Sequence, residues 1–282
     1  MTAEEWNELG REALDGDHLE RAVKCFKEAV LCEPEWSVAH YNLGLAYKFL
    51  GRWRDCKESN LRAHELNPED DATYWNLAIA SVADDDWEAA ARAFVAIGLP
   101  SPEGEPPWDF KLGLVPIRVN PDESPEVVWC HRLDPVRAQI ANIPFPDCGR
   151  RYGDVILNDG APNGYRELNG KEVPVFDELR LLRESGLGTY QLDVYAPEPE
   201  GLEQLFTLFE EYEVPAENWT TSVRFLCKAC SEGRPHTHHD EERADVDSGE
   251  FQLGLAAKGE GDIRRVLERW RGGEIRGLSR AL

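Results

Sequence analysis

The chain has 282 residues, 41% of them apolar and 30% charged, and a net charge of -23 at neutral pH. That composition excludes wholesale disorder, no apolar run reaches the ~18 residues of a membrane helix, and the acidity argues against nucleic acid or an anionic membrane as the main partner. Seven scattered cysteines do not make a disulfide scaffold, and Met1-Thr2-Ala3-Glu4-Glu5-Trp6 lacks the basic start and apolar run of a secretory signal, so a reducing cytoplasm is expected.

Residues 1–104 carry 10 basic and 21 acidic side chains and fall into three frames of 34: 3–36, 37–70 and 71–104. Frame position 7 is Leu9, Leu43 and Leu77; position 8 is Gly10, Gly44 and Ala78. Position 20 is Ala22, Cys56 and Ala90, and position 32 is Pro34, Pro68 and Pro102. Apolar residues at spacings of three and four (Leu43, Ala46, Tyr47, Leu50) predict amphipathic helices, two per frame. Small residues at positions 8 and 20 let the two helices approach closely. Turns are expected at Gly16-Asp17, Gly51-Arg52 and Asp84-Asp85-Asp86, and the proline at position 32 stops the second helix.

This pattern resembles the tetratricopeptide repeat, with two departures: Asn60 stands where a large apolar residue is expected, and the third frame ends early at Gly98-Leu99-Pro100. The resemblance implies a short superhelix whose concave face binds a peptide or protein segment. Its groove candidates are Asn7, Arg11, Tyr41, Asn42, Leu45, Lys48, Trp75 and Ile79, although Tyr41, Leu45, Trp75 and Ile79 also fit a core between repeats. Of the basic and asparagine positions with which the family clamps a C-terminal carboxylate, only Asn42 matches. The last repeat needs a cover, and the proline-rich stretch after residue 98 cannot supply a helix. The second half of the chain, or another copy in a homodimer, is therefore expected to lie over it.

From about residue 107 the pattern changes to short strands, expected at 114–119, 127–133, 137–142, 154–157 and 173–176, with Asn158-Asp159-Gly160 as a turn. A helix from Asp177 to Glu184 is predicted to follow. Together, 107–186 reads as a small β-rich module, a barrel or curled sheet. The words Asn142-Ile143-Pro144-Phe145 and Tyr152-Gly153-Asp154-Val155, followed by Ser185-Gly186 and Thr189, look like a bacterial domain family of unknown function.

Residues 187–282 read as strand, helix, strand, strand, helix, strand, with strands at 189–196, 222–227, 251–257 and 274–278. Leu202, Leu205, Phe206, Phe209 and Tyr212 form one helical stripe; Ile263, Val266, Leu267 and Trp270 form the other. This is the ferredoxin-like order, a fold that decides nothing about activity. The whole chain is thus expected to be α+β: an all-α repeat superhelix, the β-rich module and a ferredoxin-like module.

The loop 227–239 concentrates metal-ligand chemistry in Cys227, Cys230, His236, His238 and His239. Thiolate and imidazole suit zinc; Cys227 and Cys230 with His236 and either His238 or His239 would complete a tetrahedral, closed shell. An acidic hairpin with free histidines is the alternative. Cys130 and His131 are expected on opposite faces of a strand and so form no nucleophile–base pair. Neither a phosphate loop nor a nucleophile elbow occurs. The expected function is a non-enzymatic interaction adaptor, with a zinc-dependent catalytic or sensing protein as the alternative.

Overall fold

A computed structural model describes residues 1–168, 171–220 and 249–282. The chain divides into two compact units: residues 1–110 with 133–136, and residues 111–132 with 137–282. The fold is α+β.

The first unit holds six helices: α1 (Ala3–Asp15), α2 (Leu19–Cys32), α3 (Ser37–Phe49), α4 (Trp53–Leu66), α5 (Asp71–Ala83) and α6 (Trp87–Ala96). Both sets of starts, at residues 3, 37 and 71 and at 19, 53 and 87, advance in steps of 34. α1 opens with a capping box: the Glu5 amide donates to Thr2 Oγ1 and the Thr2 amide to Glu5 Oε2. Asp70 and Asp86 cap α5 and α6 by accepting from the Ala72 and Ala89 amides.

Each hairpin turn contains one residue with positive φ, and it falls at the same frame position: Asp17 (57°), Gly51 (67°) and Asp85 (56°). Glycine adopts this geometry freely, and aspartate is among the few other residues that tolerate it. The two aspartates therefore do in repeats one and three what Gly51 does in repeat two.

The predicted small positions are where the helices meet. Ala22, Cys56 and Ala90 are all fully buried. A Cβ on Gly10 would lie 2.5 Å from the Phe26 ring, and one on Gly44 would lie 2.2 Å from the Asn60 amide. Frame position 24 (Phe26, Asn60, Phe94) is fully buried in all three repeats. Asn60 fills its apolar slot without a lost hydrogen bond: it donates to the Cys56 carbonyl at 2.9 Å and accepts from Asn76 at 3.3 Å.

Part of the cover expected over repeat three comes from the residues directly after α6. The non-helical stretch after α6 packs on that repeat itself. Trp108 meets Trp87 edge-on and Phe110 meets Phe94 edge-on, each at 5.9 Å between ring centroids. Trp108 satisfies its indole N–H on the Gly104 carbonyl within the same stretch, at 2.9 Å. Cys25 and Cys56 are buried, whereas Cys32, the last residue of α2, is exposed.

In the second unit, β1 (Leu114–Val119), β2 (Glu126–Arg132), β3 (Arg137–Ile140), β4 (Val155–Leu168) and β5 (Lys171–Arg183) form a closed barrel in that order. The predicted helix over 177–184 is strand β5 instead. Asp177 reads as an N-cap, but the Glu178 side chain that follows is buried, accepts the Asn120 amide at 2.8 Å and pairs with Arg150 at 2.7 Å. The predicted turn at 158–160 lies within β4, where the pairing with β5 shifts register around Asn158. Closure is a parallel contact: Ile117 lies opposite Phe176 and Arg118 opposite Asp177. Arg118 also bonds Asp177 at 2.8 Å and the Asn163 carbonyl at 3.2 Å, so the seam carries an ion pair. Ile117, Val128, Cys130, Ile140 and Ile156 fill the barrel core.

The remainder contains β6 (Gly188–Tyr195), α7 (Pro199–Glu211), β7 (Ala216–Asn218), β8 (Glu250–Ala257), α8 (Glu260–Leu267) and β9 (Glu274–Arg280). The sheet order is β7-β8-β6-β9, antiparallel throughout. Both predicted helical stripes enter one core: Leu205 and Phe209 from α7, and Ile263, Val266 and Leu267 from α8, pack with Leu192, Leu253 and Leu255. The strand predicted at 222–227 lies outside the described residues.

Barrel and sheet are joined through one of the words singled out in the sequence. Glu217 on β7 accepts the Ile143 amide at 2.9 Å and the Asn142 side-chain amide at 3.2 Å. Trp219 donates its indole N–H to the Ile143 carbonyl at 3.1 Å and stacks on Phe145 at 5.0 Å. Gly254 leaves room for that indole; a Cβ there would lie 2.2 Å from it. In the second word, buried Asp154 accepts the Arg151 and Ser185 amides, and Gly153 takes a positive φ of 81° beside Ser185. Both words build corners of the fold.

Candidate protein-interaction surface

The first helix of each repeat carries all eight predicted groove residues, and their surroundings differ. Asn42 on α3 donates to Asn7 on α1 at 2.8 Å, which links the first two repeats along this face. Asn7 is buried and Asn42 half-buried. Arg11 is exposed and pairs with Glu8 one turn back. Tyr41, Leu45 and Trp75 are half-buried, each with part of an apolar side chain in reach of solvent. Lys48 is 5% exposed, and its ammonium sits 4.9 Å from the Phe49 ring centroid.

Ile79 requires a correction. It is 0% exposed, and every residue from Asn76 to Val82 is buried. A helix apolar on all sides is enclosed rather than half-solvated, so α5 leaves no free stripe at Ile79. The accessible apolar surface on these helices is centred on Tyr41, Leu45 and Trp75.

One contact between repeats carries no signature in periodicity. Lys57 on α4 bonds Asp84 at 3.1 Å and Asp86 at 2.8 Å, both in the turn before α6, and Arg54 adds a bond to Asp84 at 3.1 Å. Hydrogen bonds from Lys57 hold both aspartates below the usual carboxylate range. Burial pulls the Lys57 ammonium down, but the two aspartates outweigh it and leave a net upward shift. The acidic turn was legible in the sequence; its cation, about thirty residues away, was not.

Helices repeating every 34 residues and closing on the same small and aromatic positions decide the character of this segment. It is a tetratricopeptide-repeat segment.

The known proteins to which the chain is similar each match about a third of it or less. No family model matches. The human protein O-mannosyl-transferase TMTC3 is 36% identical over 64 residues, which is 23% of this chain and 7% of that protein. Among solved structures, the second TPR of Spaghetti (RPAP3) bound to HSP90 peptide SRMEEVD is 15% identical, with a TM-score of 0.33, over 34% of this chain and 88% of that one. The TPR2B domain of yeast Sti1 in its pHsp70 complex is 24% identical, with a TM-score of 0.32, over 33% of this chain and 75% of that one.

The other chemical candidates separate clearly. Cys227, Cys230, His236, His238 and His239 lie outside the described residues. Among the described residues no group of three or more His, Cys, Asp or Glu side chains is arranged to hold an ion. Burial raises the Cys130 thiol far above its usual range, aided by Glu178, and raises Cys148 to about 12, aided by Glu126. Neither supplies a thiolate nucleophile near neutral pH. His131 is exposed while Cys130 is buried, as strand alternation dictates. No described helix is long and apolar enough to cross a membrane.

Proposed function

We propose that the chain is a protein-interaction adaptor whose repeat segment holds an extended segment of another protein against α1, α3 and α5. The observation that carries this reading is the partly open apolar surface of Tyr41, Leu45 and Trp75 beside the Asn7–Asn42 pair. Aromatic side chains with one solvated edge are favoured anchors, and asparagine amides match the hydrogen-bonding needs of an extended backbone. The RPAP3 structure holds the HSP90 peptide SRMEEVD and the Sti1 domain is in a complex with pHsp70, but the surface proposed here suits a different guest. Twenty-one acidic against ten basic groups in residues 1–104 repel an acidic tail such as SRMEEVD. The second unit serves as a further recognition or regulatory module. Its sheet order β7-β8-β6-β9 supports the ferredoxin-like reading.

The test is capture of partners from a lysate on immobilised chain, with Tyr41→Ala/Trp75→Ala as the altered surface. Partners lost with the double variant, at unchanged helical content, support the proposal. Partners retained in full refute it.

We also propose a structural zinc site at Cys227 and Cys230 with His236 and either His238 or His239, supported by ligand chemistry and spacing in the sequence alone. One equivalent of zinc in purified protein, lost in Cys227→Ser, is the expected result; metal-free protein after zinc-supplemented expression would refute it.

A further inference from the structure

A second surface lies in the other unit and is chemically distinct from the repeat segment. A cavity of about 540 Å³ opens where the end of α7 and the chain leading into β7 meet Tyr152. Its apolar lining includes Phe206, Phe209 and Pro215, and Glu210 and Glu213 stand at its edge. Both glutamates are exposed, and no basic side chain lines the cavity among the described residues.

The negative charge here is concentrated by the backbone. A helix ends with unsatisfied carbonyls and the negative end of its dipole, where cations are favoured and carboxylates are not. α7 nevertheless has Glu210 and Glu211 in its last turn and no basic residue there. The chain then closes the helix with the Glu213 amide donating to the Glu210 carbonyl at 3.1 Å and the Val214 amide donating to the Phe209 carbonyl at 2.9 Å. That closure puts Glu213 at a φ of 54°, a geometry at which glycine is the ordinary occupant. A carboxylate is thus carried at a position whose backbone disfavours a side chain, just past a helix C-terminus and lining the same cavity as Glu210.

We infer that this trough docks an arginine- or lysine-bearing segment of a basic protein. A long basic side chain lays its methylenes along Phe206 and Pro215 and brings its cation to Glu210, Glu213 and the end of α7. The apolar floor is what calls for a polypeptide. A small amine would satisfy the carboxylates and leave Phe206 and Tyr152 uncovered, whereas neighbouring residues of a peptide cover them. This docking is independent of the repeat segment, since every group named here belongs to the second unit.

The experiment is calorimetric titration of the full chain with an end-blocked peptide of alternating leucine and arginine, and with the same peptide carrying glutamine for arginine. The arginine peptide is expected to bind one to one and the glutamine peptide at least tenfold more weakly. Glu210→Gln/Glu213→Gln should weaken the arginine peptide at least tenfold. Glu213→Gly alone should weaken it several-fold without lowering the thermal midpoint, because glycine relieves the backbone while removing the charge. Glu200→Gln/Glu268→Gln, which removes two exposed carboxylates of the same unit outside the trough, should change affinity less than threefold. Four results would each overturn the proposal: no binding, equal weakening by the two double variants, binding indifferent to Glu210 and Glu213, or displacement by equimolar spermidine.

Discussion

Asn76 on α5 donates to Asn60 on α4 at 3.3 Å, with both side chains buried in the repeat core. Asn60 in turn presses on Gly44, which has no Cβ to obstruct it. The three positions work as a set. Replacing Asn60 by leucine, the residue type that the repeat pattern favours, leaves the Asn76 amide without its buried acceptor and crowds Gly44. The expected outcome is a loss of about 1–3 kcal/mol, read as a lower urea midpoint at an unchanged slope. An unchanged or higher midpoint would show that the polar pair contributes nothing.

The Lys57 contacts make the repeat segment sensitive to acid. Asp84 and Asp86 have lowered carboxyl pKa values in the folded state. Their contribution is therefore complete above the unfolded value of ~3.9 and is lost as pH falls through the lower folded values. The thermal midpoint should decline below about pH 4, and Lys57→Met should flatten that decline. On the alkaline side the raised Lys57 pKa works in the opposite sense: its contribution holds below the unfolded lysine value and disappears as pH rises through the folded one.

Asp17 and Asp85 share a left-handed turn position with Gly51. Glycine at either site should raise stability by up to about 1 kcal/mol, the relief of the side-chain clash exceeding the added freedom of the unfolded chain. Gly51→Ala should lower it by a similar amount. Parallel chemical denaturation of the three variants checks the signs.

Much of this segment was readable in advance because a repeat states its own rule three times. Helix starts, the small positions 8 and 20 and the closing proline all follow from period and side-chain volume. What the sequence concealed depends on partners distant in the chain. Asn60 looked like a weakened repeat because Asn76 and Gly44 are separate words. Ile79 fitted groove and inter-repeat core equally because its frame position matches Leu45, and spacing does not report what encloses a helix. Asp177 resembled a helix start because aspartate is a favoured N-cap. Strand β5 wins there because Arg150, Asn120 and Arg118 supply tertiary partners for Asp177 and Glu178. The trough beside Tyr152 combines residues some sixty positions apart, and its one local sign is glutamate following Glu210-Glu211-Tyr212 where a helix would ordinarily end on glycine.

Glu217 links the barrel to the four-stranded sheet through two hydrogen bonds to Asn142 and Ile143. Glu217→Ala strips the Ile143 amide of a charged acceptor, at a cost of about 1.5–3 kcal/mol. Scanning calorimetry should then resolve the second unit into two transitions where the unaltered chain gives one. A single transition displaced as a whole would mean that Trp219 and Phe145 suffice to couple the halves.

Closure of the barrel by parallel pairing of β1 with β5 has a consequence for how this module meets other molecules. At Ile117–Phe176 and Arg118–Asp177 each of the two seam strands already has the other as a neighbour, so a foreign chain cannot append itself at that point by extending the hydrogen-bonded ladder. Whatever approaches the seam must be recognised through side chains, which ties selectivity there to chemistry rather than to backbone shape.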